Sequence, residues 1–151
     1  AGPALGVVIG KKACRVTEET ALVYVQGYTI VNEVSLAETS FYRPAVKAKC
    51  RDTFCPIGPW VIDACHITNP QSLAINTYIN DSLSHETSTQ ELIYSIEKVI
   101  AYISSFITLE VGDMIIAGTP LRTENLAIKA GDKVTVEIEQ IGRLVNPVAA
   151  E

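Results

Sequence analysis

The sequence predicts a mostly β domain of the α+β class, in which the sheets roll into a sandwich or barrel and two helices pack against them. Short apolar runs with strand-like alternation recur along the 151 residues, and Gly, Asn and Asp separate them. Only one segment has strong helical periodicity, with apolar residues spaced by three and four from Ile96 to Ile107. The absence of a repeating strand–helix–strand rhythm argues against a parallel α/β sheet.

Eight segments fit strands. In chain order they are ALGVVIG from Ala4, YTIVNEVS from Tyr28, GPWVI from Gly58, LAINTYIN from Leu73, LSHETS from Leu83, GDMIIAGTP from Gly112, AGDKVTVEIEQIG from Ala130 and RLVNPV from Arg143. The fourth and fifth are joined by a tight Asn-Asp-Ser turn, which predicts a hairpin.

Two segments fit helices. In the first, EETALVYVQ, Thr17 is placed as N-cap, two glutamates open the first turn and Gly27 is a plausible stop. In the second, Ser95 is placed as N-cap and the apolar stripe that follows predicts a face packed on the core.

Composition excludes several classes of function. The chain is 48% hydrophobic and 19% charged, with a formal net charge of −5, which argues against nucleic acid as a partner. No apolar run approaches the roughly 20 residues that a membrane helix needs, so we expect no membrane partner and a cytoplasmic protein.

The four cysteines have no close Cys-x-x-Cys pair. We expect Cys14, Cys50, Cys55 and Cys65 to be free thiols that behave as small buried hydrophobic residues. A metal site made of the last three with His66 is the alternative, although its spacing fits no common ligand pattern.

The most unusual segment is basic. Arg43, Lys47, Lys49 and Arg51 fall within nine positions, and an extended backbone would bring them to one face. Such a row fits an edge strand guarded against aggregation by its charges. It fits equally the wall of a pocket for carboxylates, which Lys and Arg bind through charge-assisted hydrogen bonds.

Two further polar positions, Glu33 and Thr119, are candidates for a site. Glu33, in what is predicted as an apolar strand, is either a metal ligand or a solvent-facing residue. Thr119 in AGTP offers a hydroxyl and a backbone N–H to a ligand carboxylate, or simply forms a turn. His66 and His85 are interpreted as loop or surface residues, because neither has a nucleophile in a recognisable context.

Five segments, taken in order, resemble the fumarylacetoacetate hydrolase family, whose members act on 2-oxo or 1,3-dioxo acids. They are ALGVVIGKKACRV, YVQGYTIVNEVS, KAKCRDTFCPIGPWV, LIYSIEKVIAYISSFITLEVGDMIIAGTP and GDKVTVEIEQIGRLVNPV. The segment SFYRPAVKAKCRDTFCPIGP is most similar to the amino-terminal half of members that act as isomerase and decarboxylase in 4-hydroxyphenylacetate (homoprotocatechuate) degradation.

The resemblance implies a rolled β core and a divalent cation, commonly Mg²⁺, which chelates the 2-oxo-carboxylate of the substrate and stabilises an enolate. It implies di- or tricarboxylate 2-oxo acids as ligands, here 2-hydroxyhepta-2,4-diene-1,7-dioate and 5-oxopent-3-ene-1,2,5-tricarboxylate. It also implies a homodimer, or pairing with a metal-competent sister domain. Residues 1–151 are expected to form a single catalytic-type domain without the family's amino-terminal segment.

The family's site residues carry over unevenly. With Leu5 as the Leu of the family's Glu-x-Glu-Leu motif, the two metal-binding glutamates become Gly2 and Ala4, which offer no side-chain ligand. The third ligand, an Asp in the family, corresponds to Glu33. One carboxylate supplies too few oxygen ligands for tight Mg²⁺ binding.

The roles that the resemblance implies are then as follows. Lys49 and Glu33 are the catalytic candidates, Glu33 is the remaining metal ligand, and the candidates for binding substrate are Arg43, Lys49, Arg51 and Thr119. A catalytically degenerate partner domain is the alternative to an active isomerase/decarboxylase. A hydrolase or acylpyruvase of the same family is a weaker one, because that chemistry depends most on the metal and its water.

Overall fold

A computed structural model describes residues 1–37, 44–118 and 126–150. The strands are β1 Pro3–Ile9, β2 Val25–Asn32, β3 Ile57–Asp63, β4 Ala74–Ile79, β5 Ser82–Ser88, β6 Met114–Ile116, β7 Lys133–Ile138 and β8 Gly142–Pro147. The helices are α1 Val46–Lys49 and α2 Ile96–Phe106, with 3-10 helices at Glu18–Tyr24, Ala64–His66 and Thr89–Glu91.

The strands form two four-stranded antiparallel sheets, ordered β3-β2-β1-β6 and β5-β4-β7-β8. Alternate residues of β1, including Leu5, Val7 and Ile9, belong to one buried apolar cluster with Val134, Val136 and Ile138 of β7. This cluster joins the sheets and confirms the predicted mostly β, α+β class with a sandwich-like core.

The predicted main helix is confirmed as α2. The Ser95 hydroxyl accepts a hydrogen bond from the Lys98 N–H at 3.2 Å, as expected of an N-cap, and Ile96 and Ile100 are buried. In the described part of the chain, no helix is long and apolar enough to cross a membrane.

The first predicted helix is a 3-10 helix that ends at Tyr24, and β2 follows at once. Thr17 is extended as an N-cap should be, but its side chain makes no capping hydrogen bond. Only Ala21 of this segment is buried, so tertiary packing gives too little stabilisation to form a longer α-helix.

In its described part, from residue 44, the basic stretch is not an extended strand, so the row of cations expected of an extended backbone does not form there. Residues Val46–Lys49 form one helical turn, in which the Lys49 N–H donates to the Ala45 carbonyl at 3.0 Å. Ala48 is buried, and its carbonyl accepts from the Leu36 N–H at 3.0 Å. These contacts explain why the segment forms a helical turn beside the end of β2 and not a strand.

Two expectations about cysteine and histidine also need correction. All four cysteines are free, as predicted, but all are exposed and not buried. His85 lies within β5 with a buried Nε2 that has no hydrogen-bond partner among the described residues, whereas a loop or surface position was expected. His66, at the end of a 3-10 helix, is exposed as expected.

Candidate functional site

The site forms where β1 begins and β2 ends. Pro3 pairs with Asn32, and one residue further the Glu33 N–H donates to the Gly2 carbonyl at 2.7 Å. The buried Asn32 side chain accepts from the Gly2 N–H at 3.0 Å and donates to Asn146 of β8 at 3.3 Å. The sequence context suggested that Glu33 lies inside a strand. In the structure Glu33 instead follows Asn32, the last residue of β2, and hydrogen bonds fix its backbone.

Lys49 reaches this point from the end of α1. Its Nζ donates to Glu33 Oε1 at 3.0 Å, and the side chains are 46% and 29% exposed for Lys49 and Glu33 respectively. Because the backbones of both residues are fixed by hydrogen bonds of their own, the ion pair joins two ordered elements. It is a half-buried pair whose charges water screens only in part.

The ion pair lines a cavity of about 550 Å³. Its lining consists of Ala1, Gly2, Glu33, Ser35, Leu36, Ala37, Lys49, Leu126, Ala127 and Ile128. This volume is within the range typical of small-molecule sites, and the apolar wall beside the Lys49 ammonium and the Glu33 carboxylate suits a small organic molecule with charged groups.

The structure brings together two of the predicted site residues and places Arg51 outside the described lining of the cavity. Lys49 and Glu33 line the cavity, but Arg51 does not belong to its described lining. The Arg51 Nε donates to the Lys47 carbonyl at 3.1 Å, and its guanidinium lies 5.8 Å from the centre of the Phe54 ring. Arg43 and Thr119 lie outside the described residues.

Several cavity residues were not predicted from the sequence. Leu126, Ala127 and Ile128 come from a segment without periodicity, and nothing in their spacing marks them as part of a site. Ser35 donates its hydroxyl to the Leu36 carbonyl at 2.8 Å, which leaves its oxygen to face a ligand only as an acceptor.

The donor set does not fit a divalent cation. A methyl group on Gly2 would overlap the backbone carbonyl oxygen of Glu33, and Ala4 is fully buried within β1. Partial desolvation of the exposed Cys55 thiol, together with the negative charge of Glu33, raises its pKa. Across residues 1–37, 44–118 and 126–150, no three His, Cys, Asp or Glu side chains are grouped as a metal site requires.

The class of protein is given by comparison of this antiparallel two-sheet domain with known families. The family model "Fumarylacetoacetate (FAA) hydrolase C-terminal" matches residues 2–149. The chain belongs to the fumarylacetoacetate hydrolase family.

A curated relative supports the narrower resemblance. The chain is 42% identical over 149 residues to the 4-hydroxyphenylacetate degradation bifunctional isomerase/decarboxylase of Salmonella dublin, covering 97% of this chain and 34% of that protein. The match falls in the amino-terminal half of the relative. The chain thus spans about a third of the length of this curated relative.

Two solved structures have the same fold. The 2-hydroxyhepta-2,4-diene-1,7-dioate isomerase from Mycobacterium marinum matches with a TM-score of 0.86 and 34% identity, over 98% of this chain and 57% of that one. The maleylpyruvate hydrolase from Sphingobium sp. SYK-6, in complex with manganese(II) ion and pyruvate, matches with a TM-score of 0.86 and 32% identity, over 98% and 53%. That relative shows a divalent cation in the family.

Proposed function

We propose that the chain is an isomerase/decarboxylase domain of 4-hydroxyphenylacetate (homoprotocatechuate) catabolism, part of a cytoplasmic enzyme that acts on di- and tricarboxylate 2-oxo acids. The observation that carries the proposal is the Lys49 ammonium, which lines a cavity of about 550 Å³ in a domain of this family. The relative of Salmonella dublin supports the pathway, and the isomerase of Mycobacterium marinum supports the substrate class.

Lys49 supplies the cationic side chain of the described cavity lining, and it stabilises the negative charge that develops in both reactions. In decarboxylation of 5-oxopent-3-ene-1,2,5-tricarboxylate, the C–CO₂ bond breaks at the carbon conjugated to the 2-oxo group through the double bond. The electron pair moves through that double bond to the carbonyl oxygen, and CO₂ leaves. The Lys49 N–H donates a hydrogen bond to the resulting dienolate oxygen, where a fixed donor stabilises the developing charge.

The isomerisation uses the same dienolate. The enol hydroxyl of 2-hydroxyhepta-2,4-diene-1,7-dioate loses its proton to the Glu33 carboxylate and C2 becomes a carbonyl. C5 takes a proton from water, and Glu33 releases its proton to solvent, which regenerates the carboxylate. The product is 2-oxohept-3-ene-1,7-dioate, with no net change in atoms. Glu33 lies 3.0 Å from Lys49, so a proton acceptor and an oxyanion donor stand side by side.

The remaining predicted ligands keep a proposed role in binding the other carboxylates. Arg43 and Thr119 lie outside the described residues, and Arg51 is held by Lys47 and Phe54. The proposal therefore rests on Lys49. A homodimer, or pairing with a metal-competent sister domain, is part of the same proposal.

The test is turnover of the dienol dioate by the purified 151-residue chain, followed by ultraviolet absorbance in buffer with EDTA and again with Mg²⁺. We expect ketonisation above the uncatalysed rate in both buffers, because the cation that faces the dienolate is an ammonium group. A rate equal to that of buffer alone would contradict the proposal.

That contrary result would favour a second function, a catalytically degenerate domain that supports a metal-competent partner. Gly2 and Ala4, which replace the family's ligand glutamates, motivate it. A hydrolase or acylpyruvase is less well supported, because activation of water at neutral pH relies on a metal for which this donor set offers no place.

A further inference from the structure

Glu33 occupies the position from which a ligand carboxylate would approach Lys49. Its Oε1 accepts from the Lys49 Nζ at 3.0 Å, inside the same cavity in which the proposed substrates bind. The Lys49 ammonium has three hydrogen-bond donors but only one unit of positive charge. A bound dianion must therefore share that charge with the Glu33 carboxylate, which is also negative and lies beside it.

The backbone geometry keeps this carboxylate in place. The Glu33 N–H is bonded to the Gly2 carbonyl at 2.7 Å, and the Gly2 N–H is bonded to the buried Asn32 side chain at 3.0 Å. The main chain at Gly2 packs so closely on the Glu33 carbonyl that a side chain at position 2 would overlap it. Glu33 can change its side-chain rotamer, but its backbone is fixed beside the cavity.

We infer that Glu33 is an internal competitor for Lys49, which an incoming substrate carboxylate displaces, and that it lowers the affinity of the site for anions. This inference rests on the proposed function for the identity of the ligand. It assigns Glu33 the opposite effect from a metal ligand, which would raise the affinity for a chelating 2-oxo acid. The site is therefore expected to prefer dianions to monoanions, because a ligand must carry enough negative charge to displace the Glu33 carboxylate from Lys49.

The sign of the Glu33→Gln effect distinguishes the two roles. In isothermal titration with oxalate in EDTA, Glu33→Gln is expected to bind about three- to tenfold more tightly than the wild type, the scale of a partly exposed ion pair. The gain is expected to be smaller for the monoanion oxamate, and to shrink as salt is added. Lys49→Gln is expected to abolish oxalate binding both in the wild type and in the Glu33→Gln variant.

A matched control removes a carboxylate that pairs with a lysine elsewhere. Glu110 pairs with Lys12 at 2.6 Å, and neither residue belongs to the described lining of the cavity, so Glu110→Gln should leave the oxalate affinity unchanged. Weaker or unchanged oxalate binding in Glu33→Gln, a requirement for Mg²⁺, or no binding by either protein would overturn the inference. If Glu33→Gln binds oxalate more tightly but the wild type shows no turnover, the proposed catalysis is rejected and the inference about Glu33 stands.

Discussion

Replacing Lys49 with alanine is expected to lower kcat/KM for the dienol dioate by about a hundredfold, the usual loss when one oxyanion donor is removed. Lys49 is the described cation that lines the cavity, and its Nζ lies 3.0 Å from Glu33. The variant removes the donor to the dienolate and leaves the Glu33 carboxylate facing the substrate without a counter-charge. Both effects act in the same direction on turnover.

Lys47→Ala is the matched control. Lys47 belongs to the same helical turn and carries the same charge, but it is not part of the described cavity lining. Steady-state kinetics should show kcat/KM within about twofold of wild type for Lys47→Ala, since a distant exposed charge is screened. Equal losses in the two variants would show that only the net charge of the turn matters.

Restoring the family's two carboxylates, as the double variant Gly2→Glu/Ala4→Glu, is expected to destabilise the chain by about 3 kcal/mol or more, the scale of an uncompensated buried charge. The side chain at position 2 would overlap the Glu33 carbonyl oxygen, and position 4 is fully buried in β1. The backbone must separate at the start of the β1–β2 pair to accept them.

Chemical denaturation measures this loss, and Mn²⁺ distinguishes its cause. We expect the denaturation midpoint of the double variant to stay low at millimolar Mn²⁺, because the overlap at position 2 and the full burial of position 4 leave the added carboxylates no room to coordinate a cation. The double variant Gly2→Gln/Ala4→Gln, which adds the same bulk without charge, should cost less. A midpoint that rises with Mn²⁺ concentration would mean that this backbone still accepts a metal site.

Much of the fold could be predicted from local pattern. The alternation of Val134, Val136 and Ile138 predicted a strand with one buried face, and β7 has it. The three-and-four spacing after Ser95 predicted α2, since both periods depend only on neighbouring residues. Strand β6 spans Met114–Ile116 within the predicted segment, and hydrogen bonding to β1 continues at Ala117, whose N–H donates to the Leu5 carbonyl at 2.9 Å.

The arrangement of the site could be predicted less well from local sequence pattern. Helix α1 is only four residues long, and a bond between Ala48 and the distant Leu36 holds its carbonyl end, so no periodicity could mark it. Lys49 and Glu33 are 16 residues apart, and their pairing depends on that turn. Resemblance to the family singled out both residues, but only the structure shows that they contact each other.

We propose that the cation of this site is the Lys49 ammonium and not a metal. The most direct test of this claim is equilibrium Mn²⁺ binding to the 151-residue chain, measured by the electron paramagnetic resonance signal of free Mn²⁺ with wild type and Glu33→Gln side by side. We predict no saturable site tighter than about 1 mM in either protein, as expected for at most one carboxylate ligand. A micromolar site in the wild type that disappears in Glu33→Gln would contradict the claim.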